Sequence, residues 1–160
     1  MRVIFAADHA AFALKEILKP FVFSLGYDIE DVGADVFDPD DDYVPFMQAA
    51  ARLVSADPHN TCAIIMGASG QGEAIAANRF KGVRAVVYYG EPEHPQTDAV
   101  GNILDMTGSV RNHNDANVLS LGARFLSEKE AKQAVKKFLA TPFSAVPRHM
   151  RRVQQLDENI

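Results

Sequence analysis

Short apolar runs alternate along this chain with stretches of helical spacing, and this alternation limits the possible folds more than any other feature. The apolar runs at 2–7, 27–32, 61–66, 83–88 and 117–121 predict buried strands. Helical spacing of apolar residues predicts helices at 11–25, 44–55, 73–79 and 128–139. Such an order favours right-handed βαβ units around a parallel sheet. We therefore predict an α/β fold with three layers, Rossmann-like, around a five-stranded parallel sheet.

Three features leave parts of this assignment open. Pro20 lies inside the first helical stretch, where it predicts a weakened or kinked helix. Residues 89–111 carry several glycines and prolines and show no clear period, so they receive no element. The basic cluster at 148–152 also stands outside the predicted helices.

Size and charge narrow the class of protein. A length of 160 residues predicts one domain over 1–160. The formal net charge of −5 argues against a nucleic-acid partner. No apolar run approaches the roughly 20 residues that span a bilayer, which argues against a membrane partner. The one cysteine, Cys62, excludes a disulfide framework and fits a reducing, cytoplasmic location.

Polar residues follow three of the predicted strands. Asp8 and His9 come directly after the first strand, a glycine loop at 67–72 follows the third, and the open segment after Tyr88 follows the fourth. Ligands of parallel sheets bind beyond the carboxyl ends of the strands. The sequence therefore predicts a ligand site at this edge of the sheet.

The glycine loop joins the third strand to a short helix and contains Gly67, Gly70 and Gly72. It is not a Walker loop, because no Gly-Lys-Ser/Thr follows, and its spacing does not fit the dinucleotide fingerprint. Unpaired N–H groups at the start of the helix favour a negative charge. That charge is either a phosphate or an enediolate that forms during a reaction.

Two acidic residues near this edge each allow a structural and a functional interpretation. Glu73 stands in the first turn of a helix, where an acid stabilises the helix dipole, but a carboxylate in a buried site has a raised pKa and can act as a general base. Asp8 either caps the helix that follows it or belongs to the site.

The later polar residues are open in the same way. His113 and Asn114 lie in a run of Asn and Asp that, taken alone, favours a solvated turn over a site. Arg148 and Arg152 share one face if their segment is helical, and then suit a phosphate or carboxylate; the alternative is a solvated basic tail.

A metal site is not predicted, because the five histidines are scattered and none has metal-ligand spacing. The acidic loop lacks the central glycine and closing glutamate of an EF-hand. We interpret it as a solvated loop that carries five carboxylates, Asp35, Asp38, Asp40, Asp41 and Asp42.

Several segments together resemble the type B ribose-5-phosphate isomerase family, which also includes galactose-6-phosphate and allose-6-phosphate isomerases. The resemblance covers nearly the whole chain and keeps the order of the family's motifs. The matching segments are 8–10, 67–79, 81–85, 113–119, 121–124 and 148–153. One branch of the family places a catalytic cysteine at the end of the third strand, where this chain has Met66. The other branch has a longer loop ending in a glutamate base, and Gly67-Ala68-Ser69-Gly70-Gln71-Gly72-Glu73 matches it.

The resemblance implies an aldose–ketose isomerase of a phosphorylated sugar, most simply ribose 5-phosphate, that needs neither metal nor cofactor. It implies that Glu73 is the base, that His113 assists ring opening with Asp8 as proton partner, and that Ser69 handles protons between the two oxygens. The loop around Gly67, Gly70 and Gly72, with Asn114, would stabilise the enediolate. The implied phosphate ligands are His9, Arg124, Arg148 and Arg152. It further implies a homodimer or dimer of dimers with shared sites, in which 141–160 packs on the partner.

Two departures from the family bear on the substrate. The family's Asp-Tyr-Pro reads Asp42-Tyr43-Val44-Pro45 here, so Tyr43 is expected to face the sugar only if the extra residue leaves it in place. The segment from 88 to 110 is longer than usual and follows the fourth strand, where it would rim the site. Other sugar phosphates, a non-catalytic phosphosugar-binding domain and a flavodoxin-like module stay open as alternatives.

Overall fold

The computed structural model describes residues 1–94, 96–97, 101 and 103–158, and part of the open segment at 89–111 therefore lies outside the described residues. Within the described ranges there are seven strands: β1 (Arg2–Ala7), β2 (Asp28–Asp31), β3 (Thr61–Gly67), β4 (Ala85–Tyr88), β5 (Gln96–Thr97), β6 (Ile103–Leu104) and β7 (Val118–Gly122). Five of them form one parallel sheet in the order β2-β1-β3-β7-β4. The prediction of five parallel strands is confirmed, and β5 and β6 form a separate antiparallel pair.

In the part of the chain that the structure describes, six α-helices accompany the sheet: α1 (Phe12–Ser24), α2 (Tyr43–Ala56), α3 (Gln71–Ala77), α4 (Met106–Asn114), α5 (Glu128–Ala140) and α6 (Pro147–Leu156). A 3-10 turn at His9–Ala11 precedes α1. The four predicted helices are confirmed, and α1 continues through Pro20 without ending. Helices α4 and α6 have no counterpart in the prediction. Among the described residues, no helix has the length and apolarity to cross a membrane.

The core lies on both faces of the sheet, as the apolar strands predict. On one face, Val3 and Phe5 of β1 pack with Leu18 of α1 and Phe138 of α5. On the other face, Ile4 and neighbouring side chains pack against α2 and α3. Alternate residues of β1 thus serve opposite clusters, which is the period of two expected for a strand buried on both faces.

The two edges of the sheet carry different polar groups. The carboxyl edge holds the glycine loop, where the backbone of Ala123 donates to Gly67 O at 2.9 Å. At the amino edge, Arg84 donates to the backbone oxygen and carboxylate of Asp115, 2.8 Å in each case. Arg111 donates to the other oxygen of that carboxylate at 3.1 Å. Asp115 adopts a left-handed φ of 47°, and these two arginines hold it where α4 joins β7. The edges are separated by the length of β7, about 16 Å.

Lys15 of α1 is fully buried and binds the segment that follows β2. Its ammonium group donates to Asp31 Oδ2 at 2.7 Å and to Ala34 O at 2.6 Å. Lys19 also donates to Asp31 Oδ2, at 2.8 Å, but is partly exposed. Burial alone would raise the pKa of Asp31, but the hydrogen bonds from both lysines lower it below its usual value.

We predict that Lys15→Met lowers the free energy of unfolding by about 3 kcal/mol, because it removes the buried cation from a partly buried carboxylate. Lys19→Met removes the same charge from the same carboxylate at a hydrated position and should cost less than about 1 kcal/mol. Urea unfolding of both variants measures the difference. Equal losses would contradict the role assigned to Lys15.

Candidate active site

A cleft of about 430 Å³ opens at the carboxyl edge of the sheet, beside the ends of β1 and β3. The cleft therefore opens at the edge of the sheet where the sequence predicts a ligand site. Its walls come from the β1 end, the start of α2, the glycine loop, α3 and the segment after β7. The lining residues are Asp8, His9, Ala10, Tyr43, Ala68, Ser69, Gln71, Gly72, Glu73, Ile75 and Arg124.

The glycine loop is shaped by two positions that exclude a side chain. Gly70 has a left-handed φ of 74° at the start of α3, and its carbonyl accepts from Ser120 Oγ at 2.6 Å. A methyl group on Gly67 would stand 1.7 Å from Glu73 Oε1, so only glycine leaves room for that carboxylate. The loop therefore folds tightly against β7 and brings Glu73 over the end of β3.

Glu73 is buried in the first turn of α3, and its Oε2 has no hydrogen-bond partner among the described residues. Burial raises the pKa of its carboxyl, and the nearby charge of Asp8 raises it further, while the N–H of its own residue lowers it. A carboxylate that only stabilised a helix dipole would lie in solvent and keep its usual pKa. The arrangement instead suits a base that accepts a proton from a ligand in the cleft.

Asp8 fits both interpretations that the sequence left open. Its Oδ1 accepts from Ala10 N at 3.0 Å and so caps the 3-10 turn, which confirms the capping interpretation. The same side chain is buried and lines the cleft. Burial is the largest influence on its carboxyl and raises the pKa.

Ser69 and Tyr43 both face the cleft. Ser69 Oγ accepts from Gln71 N at 3.3 Å, which leaves its hydroxyl hydrogen free to point at a ligand. Tyr43 begins α2 and lays its hydroxyl against the loop, 2.6 Å from the place that a methyl group on Gly72 would take. The altered sequence after Asp42 has thus not removed Tyr43 from the cleft.

One residue of the acidic loop corrects the prediction of a fully solvated loop. The side chain of Asp41 is only 10% exposed, and its Oδ1 accepts from His9 N at 3.1 Å and from His9 Nδ1 at 2.6 Å. Asp35, Asp38, Asp40 and Asp42 are exposed, as predicted. The contact was missed because it joins residues 32 positions apart, and no periodic pattern reports such a pair.

Arg124 and His9 supply positive charge at one end of the cleft. Arg124 follows β7, is held through its backbone N–H to Ala68 O at 3.2 Å, and lies near enough to His9 to oppose its protonation. The hydrogen bond that His9 donates to Asp41 raises the pKa of His9 and, with the charges of Asp8 and Asp41, outweighs the lowering effects of burial and of Arg124. Two cationic groups at this end suit an anionic ligand.

The remaining predicted site residues lie elsewhere in the chain. His113 and Asn114 end helix α4, so the turn favoured by the local pattern is wrong. The His113 ring lies 4.6 Å from the ring of His149 on α6, and Arg148 Nε donates to His149 Nε2 at 3.2 Å. These side chains belong to the amino edge of the sheet. His113, Asn114, Arg148 and Arg152 are absent from the described lining of the cleft.

The cluster at the amino edge is strongly basic. Helix α6 places Arg148 and Arg152 one turn apart, as helical spacing requires, and both are exposed. Burial lowers the pKa of His149, and the charges of His113, Arg148 and Arg152 lower it further. His149 also contacts Ser144 Oγ through Nδ1 at 2.8 Å. Sequence reasoning gave His149 no separate role, although it stood inside the basic cluster.

The described residues contain one group with atoms close enough to suit a metal ion, formed by Asp8, His9 and Asp41, whose ligand atoms all lie within 4.8 Å of one another. Asp41 Oδ1 is already bonded to two N–H groups of His9, and Asp8 Oδ1 to the N–H of Ala10. We interpret the group as a hydrogen-bonded charge cluster. That the protein works without a metal or cofactor stays a prediction.

Comparison with known proteins gives the same picture over the full chain. The sequence model of the Ribose/Galactose Isomerase family matches residues 3–156. A ribose-5-phosphate isomerase B from Mycolicibacterium paratuberculosis is 36% identical over 158 residues, which are 99% of this chain and 91% of that protein. A galactose-6-phosphate isomerase subunit from Streptococcus equi subsp. zooepidemicus is 31% identical over 158 residues, 99% of each chain.

Solved structures agree with the fold. The crystal structure of ribose-5-phosphate isomerase B from Mycoplasma genitalium, with bound ribulose-5-phosphate, superimposes with a TM-score of 0.84 at 28% identity and covers 97% of this chain and 93% of that one. The enzyme from Thermotoga maritima gives a TM-score of 0.81 at 31% identity, with 98% and 97% covered. The fold and these relatives define an aldose–ketose isomerase of phosphorylated sugars. The chain belongs to the Ribose/Galactose Isomerase family, which confirms the resemblance read from its motifs.

The raised pKa of Glu73 predicts a specific pH dependence of stability. Because the folded state holds this proton more tightly than the unfolded state, wild-type stability falls as the pH rises from about 4.5 through the raised value. Glu73→Gln lacks this loss and should become progressively more stable than wild type across the same window. Urea unfolding at stepped pH measures it, with the exposed Glu158→Gln as control for charge. A stability difference that stays constant with pH would contradict the buried carboxylate.

Proposed function

We propose that this protein interconverts ribose 5-phosphate and ribulose 5-phosphate through an enediolate, with Glu73 as the base. One observation carries the proposal: the Glu73 carboxylate is buried in the cleft with one oxygen unpartnered among the described residues and its pKa raised by burial. A buried carboxylate with a raised pKa is a stronger base than a solvated one and can accept a proton from a substrate. The relatives named ribose-5-phosphate isomerase B, and the one with bound ribulose-5-phosphate, support the choice of sugar.

The proton transfer follows from the position of Glu73. Its carboxylate removes the proton from the carbon next to the substrate carbonyl, and the electron pair of that C–H bond forms the enediolate. The same carboxyl then returns the proton to the neighbouring carbon, which completes the exchange of aldose and ketose. Ser69 donates and accepts protons between the two oxygens, and Asp8 is the proton partner in ring opening.

The glycine loop stabilises the charge that appears on the enediolate oxygens. Gly72 lines the cleft in the first turn of α3, and the N-cap residue Gly70 supplies no side-chain cap to the N–H groups of that turn. Donors fixed before the reaction stabilise a developing charge without having to reorganise. This supports chemistry without a metal ion, because the loop supplies the electrostatic stabilisation.

The phosphate would bind at the cationic end of the cleft, on His9 and Arg124. Further cations implied for it, Arg148 and Arg152, lie at the opposite edge of the sheet, together with His113 and Asn114. About 16 Å of sheet separates the two edges, more than an arginine side chain spans. If all four act in the same site as Glu73, they must come from another subunit.

We therefore propose a homodimer, or a dimer of dimers, whose sites combine the cleft of one subunit with the basic cluster of its partner. Exposed apolar side chains beside the cleft support an interface there, since Phe37 and Ile75 are 62% and 61% exposed. Helix α6 presents Arg148 and Arg152 outward on the segment 141–160, which would pack on the partner. One domain over 1–160 and a cytoplasmic location complete the proposal.

Galactose 6-phosphate is the second candidate substrate, and the related galactose-6-phosphate isomerase subunit is the observation that favours it. Allose 6-phosphate and smaller sugar phosphates are weaker candidates. A phosphosugar-binding domain without catalysis would need no buried base, and the match to the Ribose/Galactose Isomerase family disfavours a flavin module. The described residues of 89–105 do not line the cleft, so they give no reason to prefer a larger sugar.

We predict that the protein converts ribose 5-phosphate to ribulose 5-phosphate at the same rate with and without EDTA. Glu73→Gln should lower kcat by about 10²–10⁴-fold, the usual contribution of a general base. A coupled assay of ketose formation over a panel of phosphorylated pentoses and hexoses measures both. Activity unchanged in Glu73→Gln would remove the proposed base, and activity lost in EDTA would remove the metal-free reaction.

A mixing experiment tests the shared site. Glu73→Gln and His113→Ala chains should each be nearly inactive as homodimers, but a mixed dimer has one site with both native residues. Random reassociation of equal amounts should recover about a quarter of wild-type activity, because half the dimers are mixed and one of their two sites is intact. Tags on the two chains verify that mixed dimers form. If these mixed dimers show no recovered activity, His113 does not act in the partner's site.

A further inference from the structure

His9 is held from two sides by one carboxylate. Asp41 Oδ1 accepts from His9 N at 3.1 Å and from the ring Nδ1 at 2.6 Å. Because one oxygen atom accepts both hydrogen bonds, the backbone and the ring of His9 are fixed relative to the same carboxylate. With Nδ1 used in this way, Nε2 is the ring nitrogen left to contact a ligand in the cleft.

Asp41 reaches this position because the loop before it is anchored over the end of β1. Ala34 N donates to Ala7 O at 3.0 Å, and Lys15 Nζ donates to Ala34 O at 2.6 Å. A methyl group on Gly33 would stand 2.5 Å from Ala7 N, so the chain passes β1 at a distance that only glycine permits. At the far end of the loop, Asp41 N donates to Asp38 O at 3.2 Å and turns the chain towards α2.

The environment of Asp41 makes its charge effective. Its side chain is 10% exposed, and Oδ2 has no hydrogen-bond partner among the described residues. A carboxylate shielded from water interacts more strongly with a neighbouring cation than a solvated one does. The Phe37 ring lies edge-on to the His9 ring, with 6.4 Å between the ring centroids.

Three charged groups therefore face His9. Asp41 and Asp8 favour its protonated form, and Arg124 opposes it. The hydrogen bond that His9 donates to Asp41 is the largest influence, and the net effect is a pKa of His9 above its usual value. His9 consequently keeps its positive charge at a higher pH than an isolated histidine would.

We propose that Asp41 is a positioning residue for substrate recognition: it holds His9 as an imidazolium with Nε2 directed at the phosphate of the substrate. This inference rests on the proposed function, because it deepens the role of His9 in that site. Asp41 itself does not touch the substrate. Its carboxylate sets the charge and orientation of a residue that does.

The test compares Asp41→Asn with Asp40→Asn in the full chain. The Asp41→Asn side chain keeps its size and an oxygen for His9 N, but it loses the charge that favours the imidazolium. Asp40 lies in the same loop and is exposed, so its variant removes an equal charge without a contact to His9. Asp41→Asn should raise KM for ribose 5-phosphate about tenfold near pH 7.5 with kcat changed less than about twofold. Asp40→Asn should change neither.

The pH profile separates charge from simple structural damage. Near pH 6 His9 is substantially protonated even without Asp41. The ratio of wild-type kcat/KM to that of Asp41→Asn should therefore be close to one at this pH. The ratio should grow as the pH rises through the ordinary pKa of histidine, about 6.5, because only the wild type retains the charge. A ratio that is constant from about pH 6 to pH 8, or a loss confined to kcat, would overturn the proposal.

A titration that needs no turnover keeps this test independent of the proposed reaction. In wild-type protein, the NMR titration of the His9 ring should give a pKa above about 6.5, rising further with inorganic phosphate. In Asp41→Asn the pKa should return towards that ordinary value and phosphate should bind more weakly. A wild-type pKa at or below the ordinary value would overturn the inference even if the enzyme isomerises ribose 5-phosphate. A raised pKa of His9 in a protein without isomerase activity would contradict the proposed reaction, but it would still support the interaction of Asp41 with His9.

Discussion

The ionisable carboxyl of Glu73, buried without a partner for one oxygen among the described residues, is the constraint on which the rest of the site depends. Burying such a group is unfavourable unless the surroundings are arranged for it, and here the arrangement begins with Gly67, which leaves the space that the carboxylate fills. The left-handed Gly70 and its bond from Ser120 then hold the loop against β7. Stability is given up at this point, and the pKa of the Glu73 carboxyl is raised by burial, as is typical of ionisable groups at functional sites.

The parallel sheet explains why one chain carries two polar centres. Strand ends gather the glycine loop, Asp8 and Arg124 at the carboxyl edge, as they do in other α/β proteins. The connection from α4 into β7 fixes His113 and Asn114 at the amino edge, where Arg84 and Arg111 clamp Asp115. A second subunit that faces the cleft with this edge would unite the two centres. The basic α6 helix would then serve the phosphate of a neighbouring site.

Much of this arrangement was predictable because it follows from local rules. Apolar runs identified the sheet, and the loop from Gly67 to Glu73 identified the family and pointed to the edge of the sheet where the cleft opens. Helix α4 was missed partly because it packs through contacts that are not local: Arg111 lies over the Phe138 ring at 5.5 Å, and no short window of sequence contains both residues. Its one local signal, the cap that Asp105 provides by accepting from Gly108 N at 2.7 Å, was overlooked. The pair of His9 and Asp41 was missed for the same reason, since only the folded loop brings them together.

The central claim is that Glu73 moves a proton between carbon atoms of the substrate. Isomerisation of ribose 5-phosphate in D₂O, followed by NMR of the recovered sugar phosphates, tests it most directly. A carboxylate base exchanges its proton with solvent during some turnovers. Deuterium should therefore replace the hydrogen on the carbon atom next to the carbonyl when the wild type acts, and scarcely at all with Glu73→Gln. Deuterium entering both proteins at the same rate would contradict the account.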